Sequence, residues 1–359
     1  MTFQNGHAII IGTGTDTQGT LSRKYISTIN DAEWLHKVLT EPSLCAYPDD
    51  QVHLLSGEKA TRENIEREFD KLKKLMVKSK DRQASIVVVF FSGHGIRCPG
   101  NGKTYLAPFG VNGQDLTTLI DGDFLYDKLD SIKAGKTLLL INCCYAAGVI
   151  STLVENEEPP NEERMEILDE EQVEILRTSR AFCILSAAQA AERAYTAVLS
   201  KTRKRYSPFT IGLSRGFSGK GKTDPTAYVK CGDLVTVCSA YLGKITKLKQ
   251  TPSVNYDGKN FEVGHYTGSA ADKFPELGDD IEVDIDDTEE EEVKDLEIRQ
   301  QTVTTNNYSG VFKGAGMIIG SQSFGNGNNF SYAPKYPKPF ISYCQSLVND
   351  GPEHYMPKG

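Results

Sequence analysis

The sequence predicts an α/β fold, a mostly parallel central sheet flanked by helices on both faces, with a C-terminal extension. Three observations carry that prediction. The runs Val87-Val88-Val89-Phe90-Phe91 and Thr137-Leu138-Leu139-Leu140-Ile141 are continuously apolar and rich in β-branched residues, as suits strands buried on both faces of a parallel sheet. Between such runs lie stretches with apolar residues at helical spacing. Strand and helix patterns alternate along the chain, which favours helices wrapped around a parallel sheet.

Taken in order, residues 7–12 read as a first buried strand. Residues 28–39 read as a helix with Ile29, Ala32, Leu35 and Val38/Leu39 on one face. Residues 51–55 form a second strand. Thr61 caps the next helix, in which Ile65, Phe69, Leu72 and Leu75/Met76 hold helical spacing. Residues 86–91 are the third strand, 123–129 a helix, 137–141 the fourth strand, 181–185 the fifth, and 235–248 a late helix. Residues 150–178 contain an acidic, proline-broken stretch at 155–163 that belongs on the surface. Residues 270–300 are dominated by Asp and Glu, including Glu289-Glu290-Glu291-Glu292, and read as a solvated linker. Beyond them, glycines interleaved with aromatics around Tyr308 and Phe312 suggest short turns or strands and a separate small module.

At 359 residues the chain has room for one large α/β domain and an extension. Hydrophobic content of 39% and charge of 25% are those of a soluble globular protein. No apolar run approaches membrane-spanning length, so no membrane association is expected. The first five residues lack a basic start and an apolar core, which predicts a cytoplasmic location. The eight cysteines show no C-x-x-C spacing, so neither a zinc site nor a disulfide scaffold is expected. A net charge of −8 gives no support for duplex nucleic-acid binding.

The two central runs end in reactive side chains, in Ser92-Gly93-His94-Gly95 and Asn142-Cys143-Cys144-Tyr145-Ala146-Ala147-Gly148. Carboxyl ends of strands in open α/β sheets form the ligand crevice. A histidine leaving one strand and a cysteine leaving another therefore meet at one rim, as a Cys-His nucleophile pair requires. Cys143 continues the strand alternation and points inward. His94 can take the thiol proton and return it to a leaving amine. Cys144 is expected to open a helix whose N-terminal amides stabilise a thiolate, and glycines on both sides of His94 permit close backbone approach. His7, His36, His53 and His265 fall in core or helix contexts and read as structural.

These two segments, with Cys183-Ile184-Leu185-Ser186-Ala187-Ala188-Gln189, resemble the caspase-like cysteine peptidases of clan CD, above all their bacterial and metacaspase-type members. The similarity covers about residues 5 to 266 and implies the caspase-hemoglobinase fold. It implies a peptidase domain at 1–268 with an activation loop at 150–178; beyond it, composition sets off an acidic linker at 269–300 and a small C-terminal regulatory or ligand/partner-binding segment at 301–359. It also implies Cys144 as nucleophile, two residues after Asn142, with His94 as base and the amides of Gly95 and Cys144 as oxyanion donors. By the same resemblance Asp31, Ser92 and Asn142 line the S1 pocket. Relatives carry Asp where this chain has Asn142, which removes one negative charge. The remaining carboxylate can accept an arginine or a lysine, so cleavage after Arg, then Lys, is expected. A helix N-cap is the competing role for Asp31.

The substrate backbone is expected to pair near Ser186, Ala187 and Gln189 by strand addition. No cofactor is expected. Calcium-dependent relatives carry acidic clusters after the His-Gly motif, whereas residues 96–103 here hold no carboxylate. Asp121 and Asp123 are a thin set for calcium and read as helix caps. Lys201-Thr202-Arg203-Lys204-Arg205 reads as a solvated basic loop. Partners expected are a protein or peptide substrate and, at the C-terminal segment, a nucleotide or protein activator; homo-oligomerisation stays open. Tyr308, Phe312, Phe324 and Phe330 can stack on a base or fill a small β-rich core. Relatives with extra modules are regulated effectors in cell death or antiphage defence. The alternative is a catalytically weak or inactive scaffold whose C-terminal module binds partners.

Overall fold

The computed structural model describes residues 2–15, 25–97, 104–111, 116–145, 168, 170–188, 194–199, 203–220, 226–256, 259–266, 281–284, 312–314 and 317–319. In chain order the elements are β1 (Gly6–Gly12), α1 (Ile26–Thr40), β2 (Val52–Ser56), α2 (Arg62–Lys78), β3 (Ile86–Arg97), β4 (Thr104–Leu106), α3 (Gly122–Ile132), β5 (Lys136–Tyr145) and α4 (Glu170–Ser179). There follow β6 (Ala181–Ser186), β7 (Thr196–Leu199), β8 (Arg205–Tyr206), α5 (Pro208–Phe217), β9 (Tyr228–Lys230), α6 (Cys231–Ile245), β10 (Ser253–Tyr256), β11 (Glu262–His265) and β12 (Ile281–Asp284). β13 (Phe312–Gly314) and β14 (Met317–Ile319) pair with each other, in the region where the glycine and aromatic pattern suggests short strands.

The expected sheet is present. Its strand order is β10-β6-β5-β3-β1-β2, with β4 attached to the far end of β3. The neighbours from β2 to β6 run parallel, while β10 and β4 join antiparallel. The apolar runs are continuous because both sheet faces are covered. On one face Ile10, Val88, Phe90, Leu138 and Leu140 pack with Leu35 and Leu39 of α1, Phe217 of α5 and Leu234 of α6. On the other, Ile9, Ile11, Val89, Phe91, Leu139 and Ile141 pack with Phe69 and Leu72 of α2, Leu125 and Leu129 of α3, and Leu176 of α4. Each such fully buried side chain contributes roughly 2 kcal/mol.

Three helix starts follow capping chemistry. Thr61 accepts from the Asn64 amide and opens α2, as its sequence suggests. Asp121 accepts from the Phe124 amide at 2.8 Å and opens α3. Ser207, followed by Pro208 in the first turn, accepts from the Thr210 amide and opens α5.

Two features differ from the sequence expectation. β3 and β5 do not stop at Ser92 and Asn142. β4 folds back on Gly95–Arg97, so β3 keeps a partner past His94, and β5 follows alongside it to Tyr145. The acidic stretch expected as a linker supplies β12, which pairs antiparallel with β7 in a three-stranded β12-β7-β8 sheet. The rest of 269–300 lies outside the described residues, as do the 155–163 stretch and most of 301–359.

Candidate active site

The strand order fixes where a site can form. From β1 the chain moves to β2 on one side and then to β3 on the other, so the sheet switches direction beside β1 and leaves a crevice at the carboxyl ends. α1, which follows β1 and packs on one sheet face, brings Asp31 to this rim. Trp34 Nε1–H donates to Ser214 Oγ at 2.8 Å and ties α1 to α5.

At the rim three side chains distant in sequence converge. Asp31 Oδ2 accepts from Ser92 Oγ–H at 2.9 Å and from Asn142 Nδ2–H at 3.0 Å, while Asn142 Nδ2 also donates to Ser92 Oγ at 2.9 Å. Ser92 and Asn142 are paired neighbours in the β3–β5 ladder. The expected S1 trio is thus one hydrogen-bonded cluster. Asp31 is not a helix N-cap: α1 starts at Ile26 with Tyr25 in the capping position, which puts Asp31 well inside the helix. Its carboxyl is fully shielded, and burial pushes its pKa up from 3.8 to about 6, against the opposing hydrogen bonds from Ser207, Ser92 and Thr210. Asn142 Oδ1 is buried and has no hydrogen-bond partner among the described residues.

Ser207 is the member that the sequence does not reveal. Its backbone N–H donates to Asp31 Oδ1 at 2.9 Å, across 176 positions of chain. The Ser207-Pro208 pair is readable as a helix start, but nothing local shows that the same residue faces Asp31.

Two residues farther along the same strands, His94 stands opposite Cys144 in the ladder. Neighbouring strands bring such backbones to about 5 Å. His94 is half-buried, and Tyr25 packs edge-on against its ring, with centroids 4.1 Å apart at 72°. Its carbonyl accepts from the Ala107 amide at 2.9 Å, which anchors the backbone on the β4 side. The close approach expected at the flanking glycines is real at Gly93, where an added Cβ would fall 2.5 Å from Thr13 Oγ1. Gly95 lies between Tyr145 of β5 and Leu106 of β4, one register step from Cys144.

The side chain of Cys144 lies outside the described residues, as does Gln189. The expectation that Cys144 opens a helix is corrected, since the residue is in β5, which continues to Tyr145. Cys143 sits among Phe91, Ile141 and their neighbours in the apolar cluster, 2% exposed, and burial pushes its thiol up to about 12. A thiol in that environment is inert.

The expected strand addition at Ser186 and Ala187 is also corrected. Ser186 already pairs with Ser253 of β10. The Ala187 N–H donates to Ile141 O at 2.8 Å, and its carbonyl accepts from Gln250 Nε2 at 2.8 Å. Gln250 Oε1 in turn accepts from the Tyr195 amide at 3.1 Å, so one buried amide clamps the end of β6 to the approach of β7.

Asp121 is occupied as a cap, and Asp123 accepts from Gln172 Nε2 at 2.6 Å. Among the described residues no three His, Cys, Asp or Glu side chains gather as a metal ligand set, and no helix is long and apolar enough to cross a membrane.

A parallel α/β sheet with histidine and cysteine positions paired at its rim defines a class in which acyl transfer through a thiol is the natural chemistry. Residues 5–259 match the caspase domain, well over half of the chain, and the protein belongs to that family, which is one of cysteine peptidases. Residues beyond 259 extend past the matched region. Among solved structures, a protein from Geobacter sulfurreducens is 15% identical with a TM-score of 0.45, covering 70% of this chain and 92% of its own. Caspase-1 from Spodoptera frugiperda is 15% identical with a TM-score of 0.43, covering 74% of this chain and 92% of its own. No curated protein matches the chain.

Proposed function

We propose that the chain is an endopeptidase that cleaves protein or peptide substrates after basic residues, arginine before lysine. One observation carries this reading: the Asp31–Ser92–Asn142 cluster lies two residues below the His94–Cys144 pair on the same strands. That offset is about 7 Å, the reach of an extended arginine or lysine side chain whose carbonyl sits at Cys144. Arginine brings five N–H donors. Asp31 supplies the charge, and Asn142 Oδ1 is an unfilled buried acceptor beside it. With one carboxylate in place of two, the planar fork of arginine gains more than the single ammonium of lysine.

In the reaction, His94 takes the proton of the Cys144 thiol and the sulfur attacks the scissile carbonyl. The amides of Gly95 and Cys144 receive the oxyanion. The C–N bond then breaks, His94 protonates the departing amine, and water hydrolyses the thioester. Regulation belongs to the same reading: residues 301–359 take a nucleotide or protein activator, in a cytoplasmic effector of cell death or antiphage defence.

A second reading has support from the same cluster. Asp31 is fully shielded and already accepts three hydrogen bonds, as a purely architectural carboxylate in a non-catalytic scaffold would. A positional-scanning peptide library with Cys144→Ala and Asp31→Ala controls separates the two. Turnover with a basic P1 residue that Cys144→Ala abolishes supports the peptidase; no turnover and no labelling of Cys144 by an arginine-type electrophile supports the scaffold.

A further inference from the structure

β7 is held against the candidate site on one edge and carries a strand from far along the chain on the other. On the first edge it pairs with β8. The Arg205 carbonyl of β8 accepts from Asn30 Nδ2 at 2.9 Å, and the chain then enters Ser207, the donor to Asp31. At its other end the Gln250 clamp sets β7 beside the carboxyl end of β6. β7 therefore runs along the wall of the site. Its second edge is a row of N–H and C=O groups of the kind that pairs with any extended chain reaching it. The chain that reaches it is β12, antiparallel, from Ile281 opposite Leu199 to Asp284 opposite Thr196.

We propose that residues 281–284 are an internal blocking strand on the edge of β7, occupying by β-augmentation the place that the backbone of a peptide substrate takes. The contact itself is independent of the peptidase reading; the consequence for substrate rests on it. Three further observations favour this occupant. First, the register is in phase: Ile281 and Val283 stand opposite Leu199 and Ala197, the two buried residues of β7, and Glu282 and Asp284 stand opposite the half-buried Val198 and Thr196. Second, the charges are complementary. The end of β12 at Ile281 is preceded in sequence by Asp279 and Asp280, and it lies opposite Leu199, where β7 leads toward the exposed Arg203 and Lys204. Third, residues 281–284 contain no Arg or Lys, so a site that requires a basic P1 side chain has nothing there to cut after. With the backbone of Ser186 and Ala187 already engaged, β7 is the described strand in the site wall that takes up an added chain.

The test uses the full chain carrying Glu282→Pro, which removes the N–H that faces Val198 across the ladder and disfavours the strand, and a second variant with residues 281–284 replaced by Gly-Ser-Gly-Ser. Two readouts are taken: turnover of a fluorogenic arginine peptide, and anisotropy of a fluorescein-labelled peptide spanning residues 278–287 added in trans. If the blocked state holds about nine molecules in ten, both variants show KM for the arginine peptide lowered about tenfold. They also bind the labelled peptide about tenfold more tightly than the parent chain does. Raised ionic strength should lower KM for the parent chain and leave the variants unmoved. Labelled-peptide binding about tenfold tighter in the variants, with no turnover in any chain, upholds the blocking strand and removes the peptidase reading. Equal KM and equal labelled-peptide binding in parent and variants, with melting curves showing all three folded, would overturn the inference.

Discussion

β3 and β5 carry one register into two unlike surroundings. On the side of α1, Ser92 and Asn142 are held by Asp31 in a closed polar cluster, and His94 stands opposite Cys144 just beyond. On the other side of the same strands, Phe91, Ile141 and Cys143 are sealed in an apolar cluster with α2, α3 and α4. The split has one geometric reason, the two-residue period of a strand: positions 92 and 142 meet Asp31, while 91, 141 and 143 meet the apolar cluster. For Cys143 the face decides the chemistry, since burial there holds its thiol protonated.

The largest effect that could break this contrast is at the cysteines. Cys144→Ala should lower peptide turnover on the order of a thousandfold or more. Cys143→Ala should leave turnover within about twofold and cost about 1–2 kcal/mol of stability. Progress curves and urea melts check both, and a reversed ranking would place the nucleophile on the apolar side. Next in size is Asp31→Ala. It strips the acceptor from Ser92, Asn142 and the Ser207 amide at once. We expect kcat/KM for arginine substrates to fall on the order of a hundredfold and stability to fall by about 2–4 kcal/mol.

The smallest effect is a titration that sharpens the contrast. Asp31 keeps its proton to about pH 6 in the folded chain, against 3.8 ordinarily, chiefly because of burial. Between those values the folded state binds more protons than the unfolded one. This group's contribution to stability is therefore greatest below about pH 4, declines as pH rises through the window, and is level above about pH 6, a total of about 3 kcal/mol. Recognition of arginine runs the other way, since it needs the carboxylate. The ratio of kcat/KM for arginine over citrulline peptides cancels the titration of the Cys-His pair and should climb between about pH 5 and 7. A flat ratio would mean that Asp31 does not meet the substrate.

Much of the frame is legible in the sequence because it is local. The unbroken apolar runs at Val87–Phe91 and Thr137–Ile141 announce strands covered on both faces, and Thr61 and Asp121 announce helix starts. The site trio is legible through the family resemblance at Asp31, Ser92 and Asn142, though only the folded chain shows that they bond one another. What escapes the sequence is non-local. Nothing near Gly95 indicates that Leu106 returns to pair with it, so the overrun of β3 and β5 past His94 and Cys144 is hidden. Ser207 carries the marks of a helix start and gives no sign of Asp31. Acidic composition masks β12, whose apolar residues at Ile281 and Val283 alternate with Glu282 and Asp284 in the period of a strand.

The Gln250 clamp has a bearing on how such proteins diversify. One side chain outside the segment fastens both of its ends, Ala187 on one side and Tyr195 on the other. The stretch between them is therefore a cassette with fixed terminals. Lengthening it adds closure entropy only slowly, about 0.6 kcal/mol for each doubling, while the sheet and the His94–Cys144 register stay where they are. Descendants of this chain can rewrite those residues without re-evolving the sheet that carries His94 and Cys144.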